Sequence, residues 1–248
     1  MRACAVTVLS LFTSVFAAAD SLHTPFEAIS FVTADGINIS ARVARPHIVD
    51  KKIPAVIFIH QGGSSKEEWT STPLFSQVAS HGMLALAYDV RGHGESGGEA
   101  DFSTLFDDPK QAPLDLEAAL AWIEATGVVD MDRVAVVGAS IGANLAVVAA
   151  GSRQFDVRTA VAISGKTSAV FHLAGGEANL SDLDSVFMIA AEFDQNGQRA
   201  AWASELFDRS AKPRRLEIVK GSGGHGVAVF DHDPTLTSRI MEWLRETL

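Results

Sequence analysis

Val134-Ala135-Val136-Val137-Gly138-Ala139-Ser140-Ile141-Gly142 reads as a short apolar strand that runs straight into a turn, with a helix beginning at Ile141. A turn from strand to helix this sharp forces its central residue into a strained conformation and projects the serine hydroxyl upward. Gly138 and Gly142 remove side chains that would collide as the turn packs, and Ala139 is also small. The helix N-terminus leaves backbone N–H groups unpaired, including that of Ile141, where negative charge would be held. By composition alone a G-x-S-x-G pentapeptide arises in about one chain in ten of this size. The strand before it and the helix after it give it weight.

The same alternation extends in both directions. Ala55–Ile59, Leu84–Tyr88, Ala160–Ile163 and Val186–Ala190 are short, nearly continuous apolar runs bounded by Gly, Asp or Ser, which suits strands buried on both faces of a parallel sheet. Leu216–Val219 gives a last strand. Leu114, Leu116, Ala119, Leu120 and Ile123 recur at helical spacing, with Pro113 near the start and Gly127 just past the end. Ile141–Ala150, Gln198–Ser210 and Pro234–Thr247 read as helices too. Before all of these, Phe26–Thr33 and Ile37–Ala44 flank Asp35-Gly36 and predict a hairpin closed by a tight two-residue turn with positive φ angles. The expected fold is α/β: a mainly parallel, doubly wound sheet with an N-terminal antiparallel hairpin, in one domain.

Composition narrows the function classes. The 248 residues carry 20 Lys or Arg against 30 Asp or Glu, a net charge of −10, with no basic run, which argues against nucleic acid or an anionic membrane surface as partner. At the N-terminus, Arg2, an uncharged apolar stretch from Ala3 to Phe16 and the small residues Ala17-Ala18-Ala19 have the order of a secretory signal peptide. Residues 1–19 are expected to be a signal peptide and 20–248 the folded domain, an exported protein of the periplasm or the medium without a membrane anchor. Cys4, the one cysteine, would leave with the signal, so the mature chain would have no thiol for a disulfide, a zinc site or a nucleophile.

In open α/β sheets the reactive groups lie just beyond the C-terminal ends of the strands. Those ends supply His60-Gln61-Gly62-Gly63, then Asp89-Val90-Arg91-Gly92-His93-Gly94-Glu95-Ser96, then Ser140, Asp194 and His225. A serine hydroxyl needs a base to act as a nucleophile at neutral pH, normally an imidazole oriented by a carboxylate. Asp194 follows the Val186–Ala190 strand, with Glu192 as its rival. His225 sits in the loop Gly221-Ser222-Gly223-Gly224-His225-Gly226, with His232 as its rival. The chain order Ser, Asp, His is the one this architecture uses.

On these residues the sequence resembles the α/β-hydrolase superfamily, and within it the small, lidless, dienelactone-hydrolase-like serine hydrolases. The resemblance spans about Phe26 to Leu248 and implies an α/β-hydrolase fold with no full cap domain, only about twenty residues from Lys166 to Asp184 linking two strands. It implies Ser140 as nucleophile, His225 as general base and Asp194 as orienting carboxylate. Gly62 and Ile141 would be oxyanion donors through their backbone N–H groups, and the Asp89–Ser96 loop a fold signature. Two departures stand out. Dienelactone hydrolases proper use cysteine where this chain has Ser140. The oxyanion loop reads His-Gln rather than His-Gly, which makes the Gln61 side-chain amide a further candidate donor.

The implied activity is hydrolysis of small or soluble carboxylic esters, with a small-molecule ester as partner and no cofactor or metal. A peptidase or amidase, or a catalytically silent binding protein on the same fold, are the alternatives. The remaining residues have structural explanations: His60 and His93 hydrogen-bonded within their loops, four tryptophans packed in the core, and Glu67-Glu68 complementing a helix dipole.

Overall fold

A computed structural model describes residues 26–47, 51–99, 101, 105, 108–180 and 183–248. The expected signal peptide lies outside the described residues. Among the described residues eight strands form one sheet: β1 (Glu27–Val32), β2 (Asn38–Ala44), β3 (Ile53–Ile59), β4 (Leu84–Tyr88), β5 (Val129–Ala139), β6 (Thr159–Ile163), β7 (Val186–Ala191) and β8 (Arg214–Val219). Their spatial order is β1-β2-β4-β3-β5-β6-β7-β8. β1 pairs antiparallel with β2, and β2 antiparallel with β4; every other pairing is parallel. The chain therefore winds from β3 outward to β4, then returns past β3 to β5 and continues the other way. That reversal places a topological switch point between β3 and β5, where such sheets gather their ligand-binding loops.

Alternation along each strand feeds two cores. Ile57 and Ile59 pack on one face with Leu116 and Ile123 of α3 (Ala112–Ala125), Leu145 of α4 (Ile141–Gly151) and Leu206 of α6 (Gln198–Arg209); α5 (Thr167–Leu173) adds Val170 and Leu173. Val56 and Phe58 pack on the other face with Trp69 of α1 (Glu67–Thr70), Phe75 and Val78 of α2 (Pro73–Ser80), Val229 of α7 (Val229–His232) and Ile240 and Leu244 of α8 (Leu236–Thr247). Burial on both faces explains why β3, β4, β6 and β7 lack the polar–apolar alternation of one-sided strands. Trp69 and Trp243 are core residues, as expected; Trp122 and Trp202 are only half-buried and stack against Arg45 and Arg199.

The N-terminal hairpin is present, but its turn is not the two-residue one expected. Val32 pairs with Asn38, leaving residues 33–37 as a five-residue loop. Only Gly36 takes a positive φ (84°), closed by Gly36 N–H to Thr33 O and Thr33 N–H to Ile37 O, both 2.9 Å. The Thr33 hydroxyl competes for the loop by accepting Ile37 N–H at 2.9 Å, and a side-chain acceptor of this kind stabilises a wider turn.

The Asp89–Ser96 loop works as a fold clamp. The fully buried Asp89 carboxylate accepts Lys66 N–H (2.6 Å), the Lys66 ammonium (2.7 Å) and Glu95 N–H (2.8 Å). A side chain on Gly94 would strike that carboxylate. Ser96 ties Asp89 O to Ser40 N–H of β2, so the loop locks the antiparallel strand to the parallel part of the sheet.

Candidate active site

Ser140 is buried between β5 and α4 with φ 52° and ψ −106°, a conformation that costs a non-glycine residue about 1–3 kcal/mol. The tightness of the turn has visible causes. A Cβ on Gly138 would strike the Gly142 carbonyl, and one on Gly142 would strike the carbonyl of Ile59 in β3. Ser140 N–H is fixed on Ile163 O at 2.8 Å. The hydroxyl does not cap the helix, and among the described residues it has no hydrogen-bond partner. Serine is favoured at N-caps because its oxygen accepts an N–H there; this one does not use that option. The Ile141 N–H, first of an eleven-residue helix, has no intrahelical acceptor.

Asp194 and His225, from the ends of β7 and β8, meet: the imidazole Nδ1–H donates to the Asp194 carboxylate at 2.9 Å to Oδ2 and 3.1 Å to Oδ1. With Nδ1 committed to a carboxylate that only accepts, Nε2 is left as the free, basic nitrogen. Asp194 is buried, whereas the His225 side chain is 36% exposed, so the ring stays open to a ligand. The two rivals are employed elsewhere. Glu192 accepts Gly221 N–H at 2.8 Å and Lys220 Nζ at 3.1 Å, and those two donors hold its carboxyl below the usual range. His232 Nε2–H lies 3.1 Å from Lys220 O.

One residue of this cluster went unnoticed in the sequence. Ser164, at the end of β6 with φ 61°, donates its hydroxyl to Asp194 Oδ2 at 2.8 Å and accepts Gly226 N–H at 3.1 Å. Its carbonyl in turn accepts from the buried Arg199 guanidinium at 2.8 Å. The rule that pointed to the other strand ends applies here too, since Ser164 directly follows the apolar run Ala160–Ile163.

The loop after β3 lies across the switch point from Ser140. His60 is fully buried; its Nε2 accepts Val90 N–H at 2.9 Å, which leaves Nδ1–H to donate to Gln61 O at 2.7 Å. Burial holds this imidazole neutral, its pKa lowered to about 4. Like His93, whose Nδ1–H lies 3.1 Å from Arg91 O, it is a loop-holding residue. Gly62 N–H donates to no other described residue. Gln61 N–H is taken by Glu68 Oε2 at 2.9 Å, and the Gln61 amide packs against Gly226, next to His225, with Oε1 buried and unpartnered. Glu68 therefore turns inward from α1 toward the site, where the sequence suggested only a dipole partner. Burial raises its carboxyl pKa, opposed first by the Gln61 N–H and then by the attraction of His225.

Beside Gln61 opens a cleft of about 430 Å³. Thr72 and Pro73 line one side, Val227, Phe230 and Asp231 the other. Its volume suits a small ligand.

Comparison with known proteins agrees with this architecture. The family model described as X-Pro dipeptidyl-peptidase (S15 family) matches residues 35–220, a span that includes Ser140 and Asp194 and stops just before His225. The chain is 25% identical over 167 residues to the uncharacterized protein YcjY of Escherichia coli (strain K12), covering 66% of this chain and 53% of that protein. It thus spans about half the length of that curated relative. Among solved structures it is similar to the alpha/beta hydrolase GrgF from Penicillium sp. sh18, with a TM-score of 0.72 at 18% identity over 90% of this chain and 99% of that one. It is equally similar to the esterase Pf2001 of Pyrococcus furiosus, with a TM-score of 0.72 at 19% identity over 97% and 96%. At these identities the likeness shows the α/β-hydrolase fold.

Proposed function

This chain belongs to the X-Pro dipeptidyl-peptidase (S15) family of α/β-hydrolase-fold serine hydrolases, and we propose that it hydrolyses carboxylic esters of small or soluble substrates. One observation carries the reading: a serine held at φ 52° with its hydroxyl uncommitted, on the same sheet edge as an imidazole whose Nδ1–H is fixed on a buried carboxylate. In the proposed reaction Ser140 Oγ attacks the acyl carbon while His225 Nε2 takes its proton. The Gly62 and Ile141 N–H groups hold the oxyanion, and Asp194 supports the imidazolium. His225 then gives that proton to the departing alkoxide, leaving an acyl-serine. A water, deprotonated by the same nitrogen, cleaves the acyl-serine to acid and free enzyme. The cleft beside Gln61 supports a short acyl or alcohol group rather than an emulsified lipid.

Family membership favours a second reading, a peptidase that cleaves after an Xaa-Pro dipeptide. Parallel assays with p-nitrophenyl acetate, p-nitrophenyl butyrate and Gly-Pro-p-nitroanilide, each beside Ser140→Ala, separate the two. Ester turnover abolished by the substitution, with the anilide untouched, supports the esterase. A kcat/KM higher for the anilide assigns the peptidase, and ester turnover surviving in Ser140→Ala sinks the nucleophile assignment. Export by way of residues 1–19 belongs to the same proposal, and is tested by the N-terminal residue of protein recovered from a periplasmic or culture fraction.

A further inference from the structure

We propose that Glu68 is a positioning residue for this site: its carboxylate pins the oxyanion loop through the Gln61 N–H. The inference rests on the serine-hydrolase reading above and assigns a role to a carboxylate that the reaction as written does not use.

The geometry starts from the two peptides that flank Gln61. The Gln61 carbonyl is held by His60 Nδ1–H at 2.7 Å and by Ser64 N–H at 3.2 Å. In a trans peptide the N–H points opposite to the C=O, so this anchoring turns the Gly62 N–H away from His60 and Ser64. The preceding peptide is anchored from the other side, its Gln61 N–H donating to Glu68 Oε2 at 2.9 Å. Removing the carboxylate would free one of the two anchors and orphan a half-buried N–H. The short helix α1 is itself fixed, because Trp69 beside Glu68 is fully buried against Phe58 and the Lys66 backbone is bound to Asp89. Glu68 thus transmits a rigid position to a loop that has to present an N–H to a transition state, where a misplaced donor is costly.

The test compares the purified wild type with Glu68→Gln, which keeps a hydrogen-bond acceptor and drops the charge, and Glu68→Ala, which drops both. Two readouts are compared: hydrolysis of p-nitrophenyl acetate, and the rate at which a fluorophosphonate probe phosphonylates the serine with loss of fluoride. The alanine variant should lose about tenfold in kcat, with KM within about twofold. The glutamine variant, which still offers an acceptor to the Gln61 N–H, should recover to within about threefold of wild type. Should the alanine variant unfold, Glu68→Asp, whose shorter side chain withdraws the acceptor from the Gln61 N–H, takes its place. An alanine or aspartate variant within about twofold of wild type, or a glutamine variant as slow as the alanine one, overturns the proposal. If the wild type reacts with the probe but not with the ester, the esterase reading fails while labelling rates still decide Glu68. If it does neither, both fall together.

Discussion

Ser164 Oγ donates to Asp194 Oδ2 at 2.8 Å while accepting the N–H of Gly226 at 3.1 Å, so one hydroxyl ties the carboxylate to the residue that follows His225. The carboxylate and the imidazole it faces are thereby held by a third group as well as by each other. Ser164→Ala is expected to lower kcat/KM for an ester substrate by about tenfold, the effect of loosening one hydrogen bond to a charged group. Ser164→Gly separates the hydroxyl from the backbone, since glycine tolerates φ 61° without strain. It should lose as much activity as alanine yet melt at a higher temperature. Retention of full activity in either variant would remove Ser164 from the site.

Strain at Ser140 makes an opposite pair of changes. Ser140→Gly removes the hydroxyl, which has no partner among the described residues, and relieves a φ of 52°. Stability should rise by about 1 kcal/mol, or about 2–4 °C in Tm for a chain of this size, while ester turnover disappears. A calorimetric scan beside the activity assay checks both halves; a lower Tm would mean the turn is not strained.

The glycines around the site divide by what they touch. Gly138→Ala drives a Cβ into the Gly142 carbonyl, which is backbone and cannot swing aside, so a loss of at least about 3 kcal/mol or failure to fold is expected. Gly226→Ala instead meets the end of the Gln61 side chain, which can rotate away. That variant should fold, with about 1–2 kcal/mol lost to the positive φ of 57°. Its KM should change because Gln61 walls the cleft. Denaturant midpoints for the two proteins measure the contrast.

His60 gives a pH signature. Its folded pKa is lowered from 6.5 to about 4 by burial, so between those values the unfolded chain binds a proton that the native chain refuses. Its contribution is absent above pH 6.5 and becomes a growing loss of stability as pH falls toward 4. The whole loss is on the order of 3 kcal/mol. Subtracting the stability curve of His60→Asn from that of the wild type isolates this group from the carboxylates that titrate nearby. A difference curve flat between pH 6.5 and 4 would contradict the assignment.

Much of this could be read from the chain, because apolar runs bounded by turn residues mark parallel strands and strand ends mark the reactive edge. The strands β4, β6 and β7 fall within a residue of the runs Leu84–Tyr88, Ala160–Ile163 and Val186–Ala190. Ser140, Asp194, His225 and Gly62 all follow such runs, and the backbone physics of Gly138-x-Ser140-x-Gly142 is local enough to be written in five letters. What went unread turns on where side chains point. The five-residue hairpin loop depends on a Thr33 side-chain bond that competes with the tighter turn. Glu68 looked like a dipole partner because helix position is visible in sequence and side-chain direction is not.

The sequence alone therefore determined the order of the strands and of the four longest helices among the described residues, the strained serine turn and which residues stand at strand ends, since each follows from patterns within a few neighbours. Only the tertiary structure decided that Asp194 rather than Glu192 meets His225, that Ser164 bridges them and that Glu68 anchors Gln61. Apart from the seven-residue Gln61–Glu68 pairing, those contacts join residues 30 to 62 positions apart. Hydrogen bonds over such separations form only after the sheet order has brought β3, β6, β7 and β8 to one edge, and that order is set by packing across the whole core.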